Sequence, residues 1–302
     1  MESQKKMHVK RFLVSCFCIF LSVICVSQIP ATELYLFQLT EDQSGQFHIH
    51  SPQYLSAFNQ GGYTNQPFFM SNQELYVSVR KPQENQNDIF SIDISNLSIR
   101  QVTKTPQSEY SPTRIGNTSH FGCIRQTTTG ENIQNLYRYP IDQSSNGEAL
   151  IPNTINVGYF YFLENDQAAV FLVDEPNKLA VADIQANQVS FLSSSIGRCL
   201  RQHPDGSLLY VHKYTDDYWY LKLYDIENKR ASIVTETVAG REDFCIDKRG
   251  NIFMADGSKL FVHKGSENIK WKLVFDLSVY GIQNISRLAI NANNQIAIIN
   301  TP

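Results

Sequence analysis

The same short pattern returns at Pro67, Pro112, Phe160, Leu200, Phe244 and Leu288, at spacings of 45, 48, 40, 44 and 44 residues. Each time a strand-like run reaches a polar turn and a second strand-like run follows. In five of the six copies the turn carries Asn or Asp (Asn72, Asn117, Asn165, Asp205 and Asn293). These side chains tolerate left-handed backbone and hydrogen-bond to their own turn. Helical periodicity is nearly absent, whereas β-branched and aromatic residues alternate with polar ones over five to eight residues. A period of 40 to 48 residues with four short strands per unit predicts an all-β, six-bladed β-propeller of four-stranded antiparallel blades.

The expected second strands are 74–79, 120–125, 168–173, 208–212, 252–255 and 296–300. Third strands are expected at 88–94, 134–140, 178–184, 218–226 and 259–263, and outer strands at 99–103, 148–151, 188–192, 231–235 and 271–275. The sixth unit has only two strands. Its missing pair stands at the other end of the chain, at 33–39 and 46–50, so N- and C-terminal strands are expected to share one blade and close the ring.

Ahead of the repeats, Lys5, Lys6, Lys10 and Arg11 precede an apolar run over 12–26, the pattern of a secretory signal with Gln28 as first mature residue. About 15 apolar residues fall short of the ~20 that a membrane span needs. The expected division is therefore a signal peptide at 1–27 and one propeller domain at 28–302, exported to the periplasm or beyond, with no stable span in the mature chain. Leu13-Val14-Ser15-Cys16 also resembles a lipobox, although most of the apolar run follows Cys16. Removing 1–27 takes four basic side chains and one acid from a chain of net charge −3, leaving about −6. That balance excludes the basic face that nucleic acid requires. Three cysteines remain, Cys123, Cys199 and Cys245, too few and too odd for a disulfide framework, with a Cys199–Cys245 bond left open.

Four segments carry a family resemblance: Tyr63-Thr64-Asn65-Gln66-Pro67-Phe68-Phe69, Asp88 to Asp93 with Arg100-Gln101-Val102-Thr103, Ser108-Glu109-Tyr110-Ser111-Pro112-Thr113, and His203-Pro204-Asp205-Gly206-Ser207. They resemble the repeat of TolB-like (WD40-like) six-bladed β-propellers, strongly in the first, second and fourth units. The resemblance implies a protein or peptide partner at the cell envelope. TolB itself carries an α/β domain ahead of its propeller, and peptidases with related propellers carry a hydrolase domain. Residues 28–302 have room for neither.

Inner strands line the central channel of a propeller, and their starts form one mouth. The residues expected there are Tyr63, Asn65, Glu109, Tyr110, Tyr159, Arg198, Arg241, Glu242 and Arg287. Aromatics supply contact area and Arg/Glu supply orientation, as in a site for a peptide or sugar-like ligand. The plainer reading is a solvated funnel whose charges pair with one another. The reading adopted is a non-catalytic binding or scaffold propeller of the bacterial envelope that needs no cofactor. The competing reading is a metal-dependent hydrolase or lactonase holding a divalent cation such as Ca²⁺ through Glu109, Glu242, Asp243, Asn65 and Asn284. Arg198, Arg241 and Arg287 would oppose a cation there. His48 and His50 share one strand face without further ligands. Nucleophile elbows, Cys-x-x-Cys pairs and phosphate-binding loops do not occur.

Overall fold

Both faces of a propeller's second strands are covered by neighbouring blades, so these strands carry continuous apolar runs. In the computed structural model, which describes residues 29–127, 133–154, 156–164, 166–265 and 271–302, the second strands behave this way. In Gln295–Asn300, Ile296 and Ile298 face one neighbouring blade while Ala297 and Ile299 face the other. Leu208 and Tyr210 likewise point opposite to Leu209 and Val211 in Leu208–Lys213. Side chains alternate across a strand, so each second strand feeds two cores at once.

Six four-stranded antiparallel sheets form the blades. Inner strands are Tyr63–Phe69, Ser108–Arg114, Val157–Phe162, Ile196–Gln202, Phe244–Ile246 and Ile285–Ile290. Each inter-blade interface holds its own apolar cluster. Between the first two blades, for example, Tyr76, Ile89, Phe121 and Tyr139 pack together. The sixth sheet runs, from outside to channel, Phe47–Tyr54, Glu33–Glu41, Gln295–Asn300, Ile285–Ile290. Glu33 pairs with Asn300 and Gln38 with Gln295, so the two ends of the chain close the circle as expected. Buried Asn300 secures the junction: its amide donates to Glu33 Oε2 at 2.8 Å, and its oxygen accepts the Gln283 N–H at 2.9 Å.

Of the turn residues expected from the sequence, Asp205 bonds its own turn, its Oδ1 accepting the Ser207 N–H at 2.8 Å, whereas in the fifth and sixth blades the bonding side chain stands two residues before the expected position. Asp247 Oδ1 accepts the N–H groups of Arg249 and Asn251, each at 2.9 Å, and Asn291 Oδ1 accepts those of Asn293 at 3.0 Å and Gln295 at 2.9 Å. Backbone pairing shifts register in the inner strands, between Asn65 and Phe68 and between Tyr110 and Thr113 among others. Gln66 and Ser111, each just before a proline, sit at φ +54°. Left-handed backbone is uncommon for such residues, and here it inserts the extra residue of a bulge.

Cys123, Cys199 and Cys245 are buried free thiols, with Cys199 Sγ donating to the Phe244 carbonyl at 3.2 Å. Trp219 packs against the core between the fourth and fifth blades while Tyr218 is exposed. The expected signal peptide, its cleavage point and Cys16 lie outside the described residues. Among the described residues no helix is long and apolar enough to cross a membrane.

Candidate functional site: the two mouths of the channel

Each inner strand gives the channel two side chains, two residues apart, because only alternate positions face it. The first ring is Gln66, Ser111, Tyr159, Cys199, Asp243 and Arg287, all lining a narrow waist of about 50 Å³. Two residues further along each strand stand Phe68, Thr113, Tyr161, Arg201, Cys245 and Ala289, of which Phe68 and Arg201 border both the waist and the cavity beyond it.

Above the first ring, the mouth at the strand starts has two halves. Tyr63, Gln66, Tyr110 and Tyr159 line a cavity of about 320 Å³, the aromatic half. Arg198, Arg241, Glu242, Asp243, Asn284 and Arg287 border about 190 Å³, the charged half. Asp243 ties the halves together. Its carboxylate accepts Arg198 Nη2 at 2.5 Å and Arg287 Nη1, and Arg287 Nη2 donates to the Tyr159 hydroxyl at 3.0 Å. The Arg287 guanidinium also lies 5.5 Å from the Tyr159 ring centre, a cation–π distance. Burial alone would raise the Asp243 carboxyl, but the Arg287 and Arg198 guanidiniums outweigh it and hold the group below the ordinary carboxylate range. Against the cost of burial, the same pairing drives both arginines further above their usual values.

Glu242 adds a second pair. Its carboxylate meets Lys213 Nζ at 2.8 Å and Arg198 Nε at 3.4 Å, and Lys213 Nζ lies 4.3 Å from the Trp219 ring centre. Gly197 permits this approach: a Cβ there would stand 3.0 Å from the Cβ atoms of Glu242 and Val211. Burial pushes the Tyr63 and Tyr110 phenols up, so both remain neutral hydrogen-bonding groups.

Of the nine residues expected at this mouth, the structure gathers Tyr63, Tyr110, Tyr159, Arg198, Glu242 and Arg287. Arg241 borders the charged half but is held outward by Asp256, at 2.6 and 3.1 Å. Asn65 is buried and folds back, its oxygen accepting the Gln66 N–H at 2.7 Å. Glu109 leaves the mouth altogether. Its side chain is 0% exposed in the interface of the first two blades, where it meets Arg125 at 3.4 Å and accepts the Tyr139 hydroxyl at 3.2 Å. The bulge at Ser111 shifts the strand's phase, so upstream of it Tyr110 faces the channel and Glu109 does not.

The side chains offered to a cation are therefore dispersed, with Glu109 remote and each of the three carboxylates paired with Arg or Lys. Among the described residues no group of three His, Cys, Asp or Glu side chains is arranged to hold a metal ion. His48 pairs with Asp42 at 2.9 Å and His50 with Ser51 at 3.0 Å, both on the surface. Asp243, named in the sequence only as a possible oxygen donor, is the centre of the mouth. Lys213 and Arg201 carried no sequence signal beyond their strand positions.

No family profile matches this chain, and no curated protein matches it. Solved structures do. A protein assigned as TolB from Agrobacterium tumefaciens superposes with a TM-score of 0.62 at 8% identity, covering 90% of this chain and 99% of that one. TolB from Acinetobacter baumannii gives 0.57 at 9% identity, over 88% of this chain and 63% of that chain. Oligogalacturonate lyase from Vibrio parahaemolyticus gives 0.56 at 10% identity, over 88% and 91%. One ring thus serves proteins of different activity, as common folds do. In fold, the chain is a TolB-like six-bladed β-propeller.

Proposed function

We propose that this chain is a non-catalytic recognition propeller of the bacterial cell envelope that binds a segment of a protein or peptide partner at the first mouth. One observation carries the reading: Arg287, held by Asp243, hydrogen-bonds Tyr159 in the cavity that it shares with Tyr63 and Tyr110, before any ligand arrives. An aromatic side chain already held in place loses little freedom on binding, which is where affinity is usually lost. The fold likeness to TolB supports the envelope setting.

Tyr110→Ala tests it. Capture of a specific partner from envelope extract by the wild-type protein should fall at least about tenfold in the variant, about 1.4 kcal/mol. Unchanged circular dichroism would confirm that folding is intact. No specific capture by the wild type, or equal capture by both, overturns the reading.

The competing reading is a metal-dependent hydrolase or lactonase in the channel; the fold likeness to a lyase says that such a ring can house an enzyme, without bearing on hydrolysis. Such an enzyme requires a divalent cation to displace Arg or Lys from the channel carboxylates. Stoichiometric Ca²⁺ or Mn²⁺ binding by calorimetry, lost in Asp243→Asn, would favour it.

A further inference from the structure

The opposite mouth carries charge of a different kind. Beyond the second ring the channel opens into a cavity of about 470 Å³. That is room for a ligand of modest size. Its walls combine Phe68, Phe69 and Tyr161 with Arg201, and Lys248 stands at its rim. Arg201 is the one ionised side chain of the second ring. It is half-buried, and among the described residues its one hydrogen bond runs from Nη1 to the Leu200 carbonyl at 2.8 Å, leaving most of its five N–H donors unused there.

No carboxylate among the described residues pairs with Arg201 or Lys248. Two acids border the cavity. Asp247 is committed to its own turn, accepting the N–H groups of Arg249 and Asn251 at 2.9 Å and the Asn251 amide at 2.7 Å. Glu164 borders the adjoining surface cavity as well and makes no ion pair among the described residues. His203 is engaged by Asp205 at 2.9 Å. Arg201 borders both the waist and this cavity, which places it at the channel's inner wall, and its charge lowers Tyr161, Cys199 and Cys245 against the rise caused by burial. A guanidinium with free donors beside aromatic faces matches a carboxylate attached to an apolar or ring-shaped body.

We propose that the second mouth is a separate binding site for a small carboxylate ligand, with Arg201 taking the carboxylate and Phe68 and Tyr161 flanking its body. A free amino-acid-like acid and an acidic sugar share this chemistry. Calorimetry with N-acetylphenylalanine and its primary amide, and with glucuronate and glucose, separates the two sources.

At least one of the acids should bind at one per chain, with its neutral analogue at least about tenfold weaker. Arg201→Met should abolish that binding, and Lys248→Glu, a surface substitution, should weaken it at least about threefold. Tyr110→Ala, at the other mouth, should leave it unchanged. The proposal is overturned if neither acid binds, if acid and neutral analogue bind alike, or if Lys248→Glu and a folded Arg201→Met both bind as wild type does.

Discussion

The two mouths are built from the same six strands, yet they treat charge in opposite ways. At the first mouth Arg198 and Arg287 meet Asp243, and Lys213 meets Glu242, so the charges are spent on each other, and Arg287 holds Tyr159 in place. At the second mouth Arg201 faces Phe68 and Tyr161 with most of its donors open. A paired charge stiffens the wall it belongs to; an unpaired one is available to a ligand. The contrast arises from two residues per strand, since positions two apart on one strand face the same channel at different depths.

Removing the hub breaks the comparison most severely. Asp243→Ala takes from Arg287 its carboxylate partner and leaves Arg198 only Glu242, at 3.4 Å, at a site where the Asp side chain is 17% exposed. A loss of about 3 kcal/mol is expected, read by urea denaturation. Asp243→Ala combined with Arg287→Met should recover part of it, because the second change removes the charge that lost its carboxylate partner.

A smaller effect comes from a third arrangement of buried charge, in the interface of the first two blades. Asp88 is 8% exposed. Burial, reinforced by the nearby Glu109 carboxylate, pushes its pKa from 3.8 up to about 7. Burial raises Glu109 too, despite Arg125 beside it. With its pKa raised on folding, Asp88 keeps a proton that the unfolded chain releases, so its contribution to stability falls as pH rises from about 4 to about 7 and is level above that. Asp88→Asn should remove this slope. At pH 8 it should raise the melting temperature by about 2–6 °C, a rise that differential scanning calorimetry would detect and that Asp243→Asn should not reproduce.

The smallest effect is expected at the second mouth. Among the described residues Arg201 has no ion pair to lose, so Arg201→Met should change folding stability by less than about 1 kcal/mol. A loss as large as that of Asp243→Ala would mean that Arg201 is a structural group and that the two mouths do not differ.

Most of the fold was legible in the sequence because a propeller repeats its hydrophobic pattern. The third strand of the second blade, Gln134–Pro140, coincides with the expected bounds, and most others shift by a residue or two. Closure was legible because the strands missing at one end were present at the other. The mouth was less so. A period of two assigns Glu109 and Ser111 to one face, and nothing in Glu109-Tyr110-Ser111-Pro112 announces that Ser111 takes a left-handed conformation and reverses the phase. Asn65 occupies the place equivalent to Tyr110, but its short side chain is taken up by the Gln66 N–H. Arg201 stayed unnoticed for another reason: its significance lies in the partner it lacks, and a missing partner is visible only once every neighbouring blade is in position.

The difference between the mouths is tested most directly by an anion. Crystals soaked in sodium bromide report bound Br⁻ through anomalous scattering, with no variant and no assumption about the natural ligand. A bromide peak is expected beside the Arg201 guanidinium and none beside Arg198 or Arg287, whose charges Asp243 already satisfies. Bromide at Arg198 or Arg287 with the Arg201 cavity empty would contradict that difference.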